Sequence, residues 1–518
     1  MNVKNRKGKL YRCIHCVYAF SERCKIMLLK QLIKRLNCTI VNGNDEIEIT
    51  DVIYDSRKVI KDSVFICVTG TVADGHDYAI AAVEKGATAL VVEREIELPE
   101  EYRDKVTIVK TEDARYALAI MSAEYFGNPA EELYTIGITG TKGKTTTTYM
   151  VKGILEECGY KTGLIGTIET IIGDKRIPAS NTTPESYIVQ KSFREMVDAG
   201  IKAVVMEVSS QGLMMHRCAG FTYDIGVFTN LEPDHIGPGE HASLEEYIAC
   251  KGLLFKQCKV GIVNCDDEHM KKVIEGHTCK IETYGLSDKA DTRATDIELI
   301  TTPGSLGTKY RVSGLTNMNV TLNLPGMFSV YNSLCAIAIS RHFDNISLEK
   351  LEDALLNVKV KGRIEVVPVS DKFTLMIDYA HNAMALESIL KTLKEYNPKR
   401  LVCLFGCGGN RSKLRRFEMG EVSGNLADLT IITSDNPRFE EPKDIINDII
   451  TGISKTDGKH IDIEDRREAI KYAITHGEEG DIIVLAGKGH EDYQEIKGKK
   501  YPMDERVIIA DILKEIGW

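Results

Sequence analysis

Tyr134-Thr-Ile-Gly-Ile-Thr-Gly-Thr-Lys-Gly-Lys-Thr-Thr-Thr-Thr148 runs from an apolar stretch through two glycines into a lysine followed by four threonines. It reads as a short buried strand, a tight turn and the first turn of a helix. Gly140 and Gly143 let the backbone N–H groups of the turn, which includes Thr141 and Lys142, close around an anion. Lys144 brings a point charge to where β- and γ-phosphates would sit. Thr145 offers a hydroxyl to Mg²⁺, with Thr146 beside it. The strict GxxxxGK[ST] spacing is broken because Ile138 stands at its first glycine, so the loop is a variant of the phosphate-binding motif. The competing reading is a plain glycine turn, which gives no reason for a lysine and four threonines at the helix start.

Outward from this loop, 518 residues suffice for about three domains. The composition, 43% hydrophobic and 27% charged, is that of a globular chain. A net charge of −10 argues against nucleic acid as the main partner. No apolar run approaches the roughly 20 residues of a membrane span, and no signal-peptide core is evident. The fourteen cysteines are scattered, mostly in apolar runs such as Val402-Cys403-Leu404, as expected in a reducing compartment; a cytoplasmic location follows. Residues 1–26 are basic and hold Cys13-x-x-Cys16 and Cys24 with no second pair at finger spacing. They read as an extension, because Met27-Leu-Leu-Lys-Gln-Leu-Ile-Lys-Arg-Leu36 starts an amphipathic helix afresh.

From 27 to 113, short apolar strands (Val64–Val68, Ala89–Val92) alternate with helices, indicating a small α/β domain. The segment 114–358 carries the phosphate loop. In it, strands at Ala203–Glu207, Ile225–Thr229 and Val260–Asn264 imply a larger parallel sheet wound by helices, and 291–324 reads as attached antiparallel strands. The segment 359–518 repeats the α/β pattern with strands at Thr374–Asp378, Arg400–Phe405, Leu429–Thr433 and Asp481–Ala486. The expected fold class is α/β with three domains: a central phosphate-loop ATPase domain and a Rossmann-like C-terminal domain behind a smaller first one.

Glu207 ends a strand beside the phosphate loop, where Mg²⁺ is commonly held. His235, after the next strand, is a candidate ligand for a second cation; a lone loop histidine is more often not a ligand. Lys251 lies on a helix over Leu244–Phe255 and reads, from chemistry alone, as a surface lysine.

Taken together, Thr139–Thr147, Asn181-Thr-Thr-Pro184, Glu207-Val-Ser-Ser210, His216-Arg217, Phe228-Thr-Asn230 with Asp234-His235, Asn332, Gly362-Arg363, Asp378-Tyr-Ala-His381 and Gly487-Lys-Gly-His-Glu491 resemble the Mur ligase family over residues 27 to the C-terminus. These are the ATP-dependent amino-acid-adding enzymes of peptidoglycan precursor synthesis. Asp55-Ser-Arg57, Gly75-His-Asp-Tyr78, Phe405–Arg411 and Asp435-Asn-Pro-Arg438 resemble the branch that adds the third residue, and the last tetrad resembles its meso-diaminopimelate-adding members.

The resemblance implies ATP and Mg²⁺ as cofactors, and as substrates UDP-MurNAc-L-Ala-D-Glu and meso-diaminopimelate. It implies a catalytic set of Lys144, Glu207, His235 and Lys251, the lysine carbamylated and, with Thr145, Glu207 and His235, holding metal. Asn332, Arg363, Asp378 and His381 would serve the nucleotide, together with residues 140–146. Ser56, Arg57, His76, Asn181, Thr182, Thr183, Ser209 and Arg217 would serve the UDP substrate. Arg411, Asp435, Asn436, Pro437, Arg438, Gly487 and Glu491 would hold the amino acid. A monomer is expected. The chain departs from the family pattern at Gln211, Met215, 236–241, Ser329 and Ala383.

Chemistry supports the amino-acid choice. Meso-diaminopimelate carries a distal carboxylate that lysine lacks, and an arginine can bind a carboxylate through two N–H groups. Three alternatives stay open: a paralogue with another amino acid or acceptor, a folylpolyglutamate synthetase-like ligase, and a non-catalytic nucleotide-binding protein.

Overall fold

The computed structural model describes residues 26–70, 73–234, 236–237, 240–302 and 304–518. Cys13, Cys16 and Cys24, and with them the reading of the N-terminal extension, lie outside the described residues, as does His235.

The chain forms two compact units. The first comprises residues up to Glu131 together with Glu185–Arg194 and Met214–Phe221. Its five-stranded sheet runs in the order Cys38–Asn42, Thr107–Thr111, Ala87–Val92, Ser63–Ile66, Val52–Ile53, the first pair antiparallel and the rest parallel. The helix Ala114–Tyr125, capped by Asp113, buries Ala114, Ala117, Leu118 and Met121 in the core with Val64 and Val91. The amphipathic start at Met27 resolves into a two-residue strand, Met27–Leu28, and a short helix, Leu29–Ile33.

The second unit holds an eleven-stranded and a six-stranded sheet among the described residues. In the larger sheet Thr162–Ile165, Ala203–Glu207, Tyr134–Thr139, Tyr223–Phe228, Cys258–Asn264 and Lys280–Gly285 lie side by side and parallel. The central ones are largely apolar because helices cover them: Ile136, Val205 and Val227 pack with Met150 and Ile154 of the helix Lys144–Glu157. The expected antiparallel strands appear as Thr292–Thr302, Ser305–Gly314 and Met318–Leu322. At the far edge, Glu169–Ile172 and Lys175–Pro178 form an antiparallel pair.

The smaller sheet runs Glu365–Val367, Thr374–Asp378, Asp481–Ala486, Arg400–Phe405, Leu429–Ile432, His460–Asp462, parallel after the first strand. Tyr396 of this layer joins the larger sheet: its hydroxyl donates to Gly307 O at 2.9 Å and accepts from Gly326 N at 2.9 Å. Strand ends carrying the candidate residues are thereby held at sheet edges.

Candidate active site

The strand Tyr134–Thr139 sits inside the parallel sheet, so its C-terminal end delivers the turn 140–143 to the sheet edge. Gly140 and Gly143 have φ of 149° and 85°. A Cβ on Gly140 would lie 1.9 Å from Thr229 Oγ1, and one on Gly143 2.4 Å from Asn332 Oδ1, so glycine is required twice over. The turn is clamped from the next strand. Thr141 N donates to Asn230 O and Lys142 N to Asn230 Oδ1, each at 2.9 Å, while Thr229 Oγ1 and Asn230 Nδ2 both donate to Lys142 O. Thr146 and Lys142 face the adjoining cavity.

Two lysines converge on one carbonyl. Lys144 Nζ donates to Gly140 O at 2.8 Å and Thr141 O at 3.0 Å, and Lys251 Nζ donates to Gly140 O at 3.0 Å. Lys251 is no surface lysine: it is 1% exposed, on the helix Leu244–Gly252, with its ammonium 4.2 Å from the centre of the Tyr247 ring. The expectation failed because nothing in the local sequence shows that this position faces the Gly140 carbonyl of the phosphate loop. Burial, and then repulsion from Lys144, hold its pKa well below the ordinary lysine value. Burial also lowers Lys144, with Glu207 opposing and Arg363 adding to the fall.

Glu207 is 1% exposed and its carboxylate accepts from hydroxyls and an amide. Thr145 Oγ1 and Thr167 Oγ1 donate to Oε2, and Thr167 N to Oε1, all at 2.9 Å. Thr167 also touches Thr182 Oγ1 at 3.1 Å, and Thr183 Oγ1 donates to Glu207 O and accepts from Ser209 N. Asn181 is exposed at the start of this segment. Thr145 and Glu207 thus meet directly, an oxygen-only pair beside the phosphate loop that suits Mg²⁺. Lys251 lies at the Gly140 carbonyl rather than in that pair. His241, buried, meets Ser210 Oγ at 2.8 Å.

A cavity of about 460 Å³ opens beside the turn, lined by Gly143, Thr146, Asn332, Arg363, Asp378, Tyr379 and His381 among others. Asn332 Oδ1 accepts from Thr147 Oγ1 at 3.3 Å. The Arg363 guanidinium lies 4.7 Å from the Tyr379 ring centre, and His381 packs on the same ring at 4.6 Å. Asp378 accepts from Ile364 N and Ala380 N; burial raises its pKa while Arg363 opposes. The departures are accommodated locally. Ser329 Oγ donates to Pro325 O, and Asn382 caps the helix Ala383–Lys394 through Ala385 N, a role that does not need proline at 383.

The amino-acid candidates gather at the smaller sheet's strand ends. Lys488, fully buried, donates to Asn436 Oδ1 and Glu491 Oε2 at 3.0 Å and to Tyr493 O. Glu495 N donates to the same Asn436 oxygen at 2.8 Å, and Asn436 Nδ2 donates to Glu491 Oε2 at 2.9 Å. Asn436 is therefore fixed as a donor toward Glu491, and its oxygen is used up. Gly487, at φ 107°, lies where a Cβ would be 3.2 Å from Asp435 Oδ2. Arg438, at φ 53° after Pro437, donates from Nε to Glu495 Oε2 at 3.1 Å and from Nη1 to Gly409 O at 2.7 Å. Arg411 is exposed at the next loop.

In the first unit, Arg57 donates to Asp55 and is 87% exposed, with Ser56 O accepting from Lys85 Nζ. His76 is buried, Nδ1 at 2.7 Å from Asp74 and Nε2 accepting from Glu93 N, so both ring nitrogens brace the loop. Arg217 pairs with Glu185 at 2.9 Å.

Several contributors escaped the sequence. Thr167, which orients Glu207, and buried Arg466, whose guanidinium donates to Glu505, Ser434 O and Ala486 O, carry no local signal. Lys488 stood in plain view inside Gly487–Glu491, where only its burial reveals its work.

The family description "Mur ligase middle domain" matches residues 138–340, "Mur ligase, glutamate ligase domain" 362–489, and "Mur ligase family, catalytic domain" 48–126. The chain is 46% identical over 478 residues to UDP-N-acetylmuramoyl-L-alanyl-D-glutamate--2,6-diaminopimelate ligase of Caldanaerobacter subterraneus subsp. tengcongensis, covering 92% of this chain and 97% of that one. It is 41% identical over 495 residues to the ligase of the same name from Clostridium perfringens, covering 94% and 100%. A solved structure of a ligase of that name superposes with a TM-score of 0.70 at 29% identity, covering 95% of this chain and 100% of that one.

Proposed function

The chain belongs to the Mur ligase family, and on that premise we propose that it adds meso-diaminopimelate to UDP-N-acetylmuramoyl-L-alanyl-D-glutamate in peptidoglycan precursor synthesis. It is an ATP-dependent, amide-forming ligase. The reaction joins the acceptor's carboxylate to the γ-phosphate of ATP, giving an acyl phosphate and ADP; the amine of the third amino acid then displaces phosphate.

The N–H groups at the helix start, residues 143–146, hold the β- and γ-phosphates while Asn230 engages those of Thr141 and Lys142, and Lys144 neutralises charge gathering on the transferred group. Asn332, Arg363, Asp378 and His381 line the nucleotide's base and ribose side. Thr145 and Glu207 hold Mg²⁺, which when bound offsets phosphate charge. Lys251 serves as a carbamate. Burial and Lys144 shift its amine toward the neutral form, which adds to carbon dioxide with release of one proton to solvent, and the resulting anion relieves the repulsion with Lys144. His235 joins this set by position in the sequence.

Ser56, Arg57, His76, Asn181, Thr182, Thr183, Ser209 and Arg217 serve the UDP substrate, His76 by bracing its loop. The domain roles follow: 27–113 for the UDP end, 114–358 for ATP and 359–518 for the amino acid, with 1–26 an extension. The enzyme works as a monomer in the cytoplasm.

The observation that carries the amino-acid choice is Arg438, a cation held by Glu495 and Gly409 O on the loop whose Asn436 donates to Glu491. Glu491 suits the distal ammonium and Arg438 the distal carboxylate, with Arg411, Asp435, Pro437 and Gly487 shaping the pocket. Product formation from UDP-MurNAc-dipeptide and ATP, with meso-diaminopimelate or L-lysine supplied separately and read by mass, tests it. Exclusive use of L-lysine would overturn the choice.

A further inference from the structure

Glu495 lies outside every recognised motif, yet it is the carboxylate that meets Arg438. The hairpin Tyr493–Ile496 and Lys499–Pro502 docks on the Arg438 loop through its backbone. Arg438 N donates to Glu495 O at 3.0 Å, Lys497 N to Arg438 O at 2.7 Å, and Glu495 N to Asn436 Oδ1 at 2.8 Å. These bonds hold the hairpin in place whatever side chain stands at 495. The carboxylate is therefore spare for another task, and its contact is the Arg438 Nε–H at 3.1 Å.

On the other flank, Nη1 donates to Gly409 O at 2.7 Å. A guanidinium has five N–H groups in one plane. Anchoring Nε and Nη1 fixes both the position and the roll of that plane, with Nη2 and the remaining Nη1–H left for a ligand. Such a pair matches the two oxygens of a carboxylate.

We propose that Glu495 is a positioning residue for amino-acid selection: it pins the Arg438 guanidinium so that its outer edge meets the distal carboxylate of the incoming diamino acid. The inference rests on the reading of Arg438 given above. Both side chains keep some solvent access, 22% and 25%, which screens the pair and makes the orienting contribution modest.

Glu495→Ala should raise KM for meso-diaminopimelate about 3- to 10-fold with kcat nearly unchanged. Glu495→Gln, whose amide oxygen can still accept from Nε, should recover most of that loss. L-Lysine turnover should stay the same in both variants. In an Arg438→Ala background, Glu495→Ala should add no further loss, since the two residues act as one unit. The measurements are steady-state phosphate release with each amino acid in turn, with thermal melting to show that every variant is folded.

An unchanged or lowered KM in Glu495→Ala, alongside a selective loss in Arg438→Ala, would overturn the role of Glu495 and leave the Arg438 reading standing. If Arg438→Ala loses both amino acids equally, the reading of the pocket fails and Glu495 falls with it. Equal losses for both amino acids in Glu495→Ala alone would mark it as a structural residue and also overturn the proposal.

Discussion

Replacing Arg438 by alanine should cost the enzyme its preference for an amino acid with a distal carboxylate. Removing one member of a buried, hydrogen-bonded charge pair costs about 2–5 kcal/mol. The Arg438 side chain is 22% exposed, and Glu495 already offsets part of its charge, which places the cost near the lower end, about 2–3 kcal/mol. At about 1.4 kcal/mol per tenfold, kcat/KM for meso-diaminopimelate should fall on the order of 30- to 150-fold. The backbone contributes little to the difference, because Arg438 already sits at φ 53° and alanine would bear the same left-handed strain. L-Lysine has no second carboxylate, so its kcat/KM should stay within a few-fold of wild type or rise. The assay is initial-rate phosphate release at saturating ATP and acceptor, with each amino acid varied separately. An equal fall for both amino acids would refute the assignment, since it would mean that Arg438 shapes the loop and does not read the substrate.

Lys144→Ala should abolish ligation while leaving the melting temperature near wild type, because its charge serves the phosphates; near-normal turnover would count against the loop assignment. Gly140→Ala should lose nucleotide binding in a calorimetric titration, since a Cβ there would lie 1.9 Å from Thr229 Oγ1; unchanged affinity would show that the clamp can yield. Lys251→Ala should be inactive and partly rescued by short carboxylic acids. In the wild-type enzyme, carbamate should be depleted as pH falls: protonation removes the neutral amine that burial and Lys144 favour, while a free lysine of pKa about 10.4 would be under about 1% neutral at pH 8. Full activity of Lys251→Ala without any additive would argue against the carbamate. Deleting residues 1–26 should leave activity and melting unchanged; stoichiometric zinc lost with the deletion would contradict the reading of an appended segment.

Much of the fold could be read because buried parallel strands are continuous apolar runs. Ala203–Glu207, Thr374–Asp378, Arg400–Phe405 and Asp481–Ala486 stand where those runs stand. Lys175–Pro178 gave no such signal, since an exposed edge strand of Lys-Arg-Ile-Pro has no buried face to pattern it. The phosphate turn was legible from its glycines and Lys144, whose spacing is dictated by one local turn. Burial of Lys251 was not, because it depends on the loop 140–143 arching over a helix more than a hundred residues later in the chain. The same holds for Thr167 against Glu207 and Arg466 against Glu505, pairs 40 and 39 residues apart that no periodicity connects. Glu495 is subtler: its sequence neighbours define a hairpin, and only the register of that hairpin on the Arg438 loop shows what its side chain meets.

The most direct test of the whole account is the mass of the product made from UDP-N-acetylmuramoyl-L-alanyl-D-glutamate, ATP and an equimolar mixture of meso-diaminopimelate and L-lysine. One ATP-dependent product is expected, heavier than the acceptor by the mass of meso-diaminopimelate less one water, with ADP and phosphate formed in equal amounts. A product carrying lysine, or ATP hydrolysis with no new amide, would contradict it.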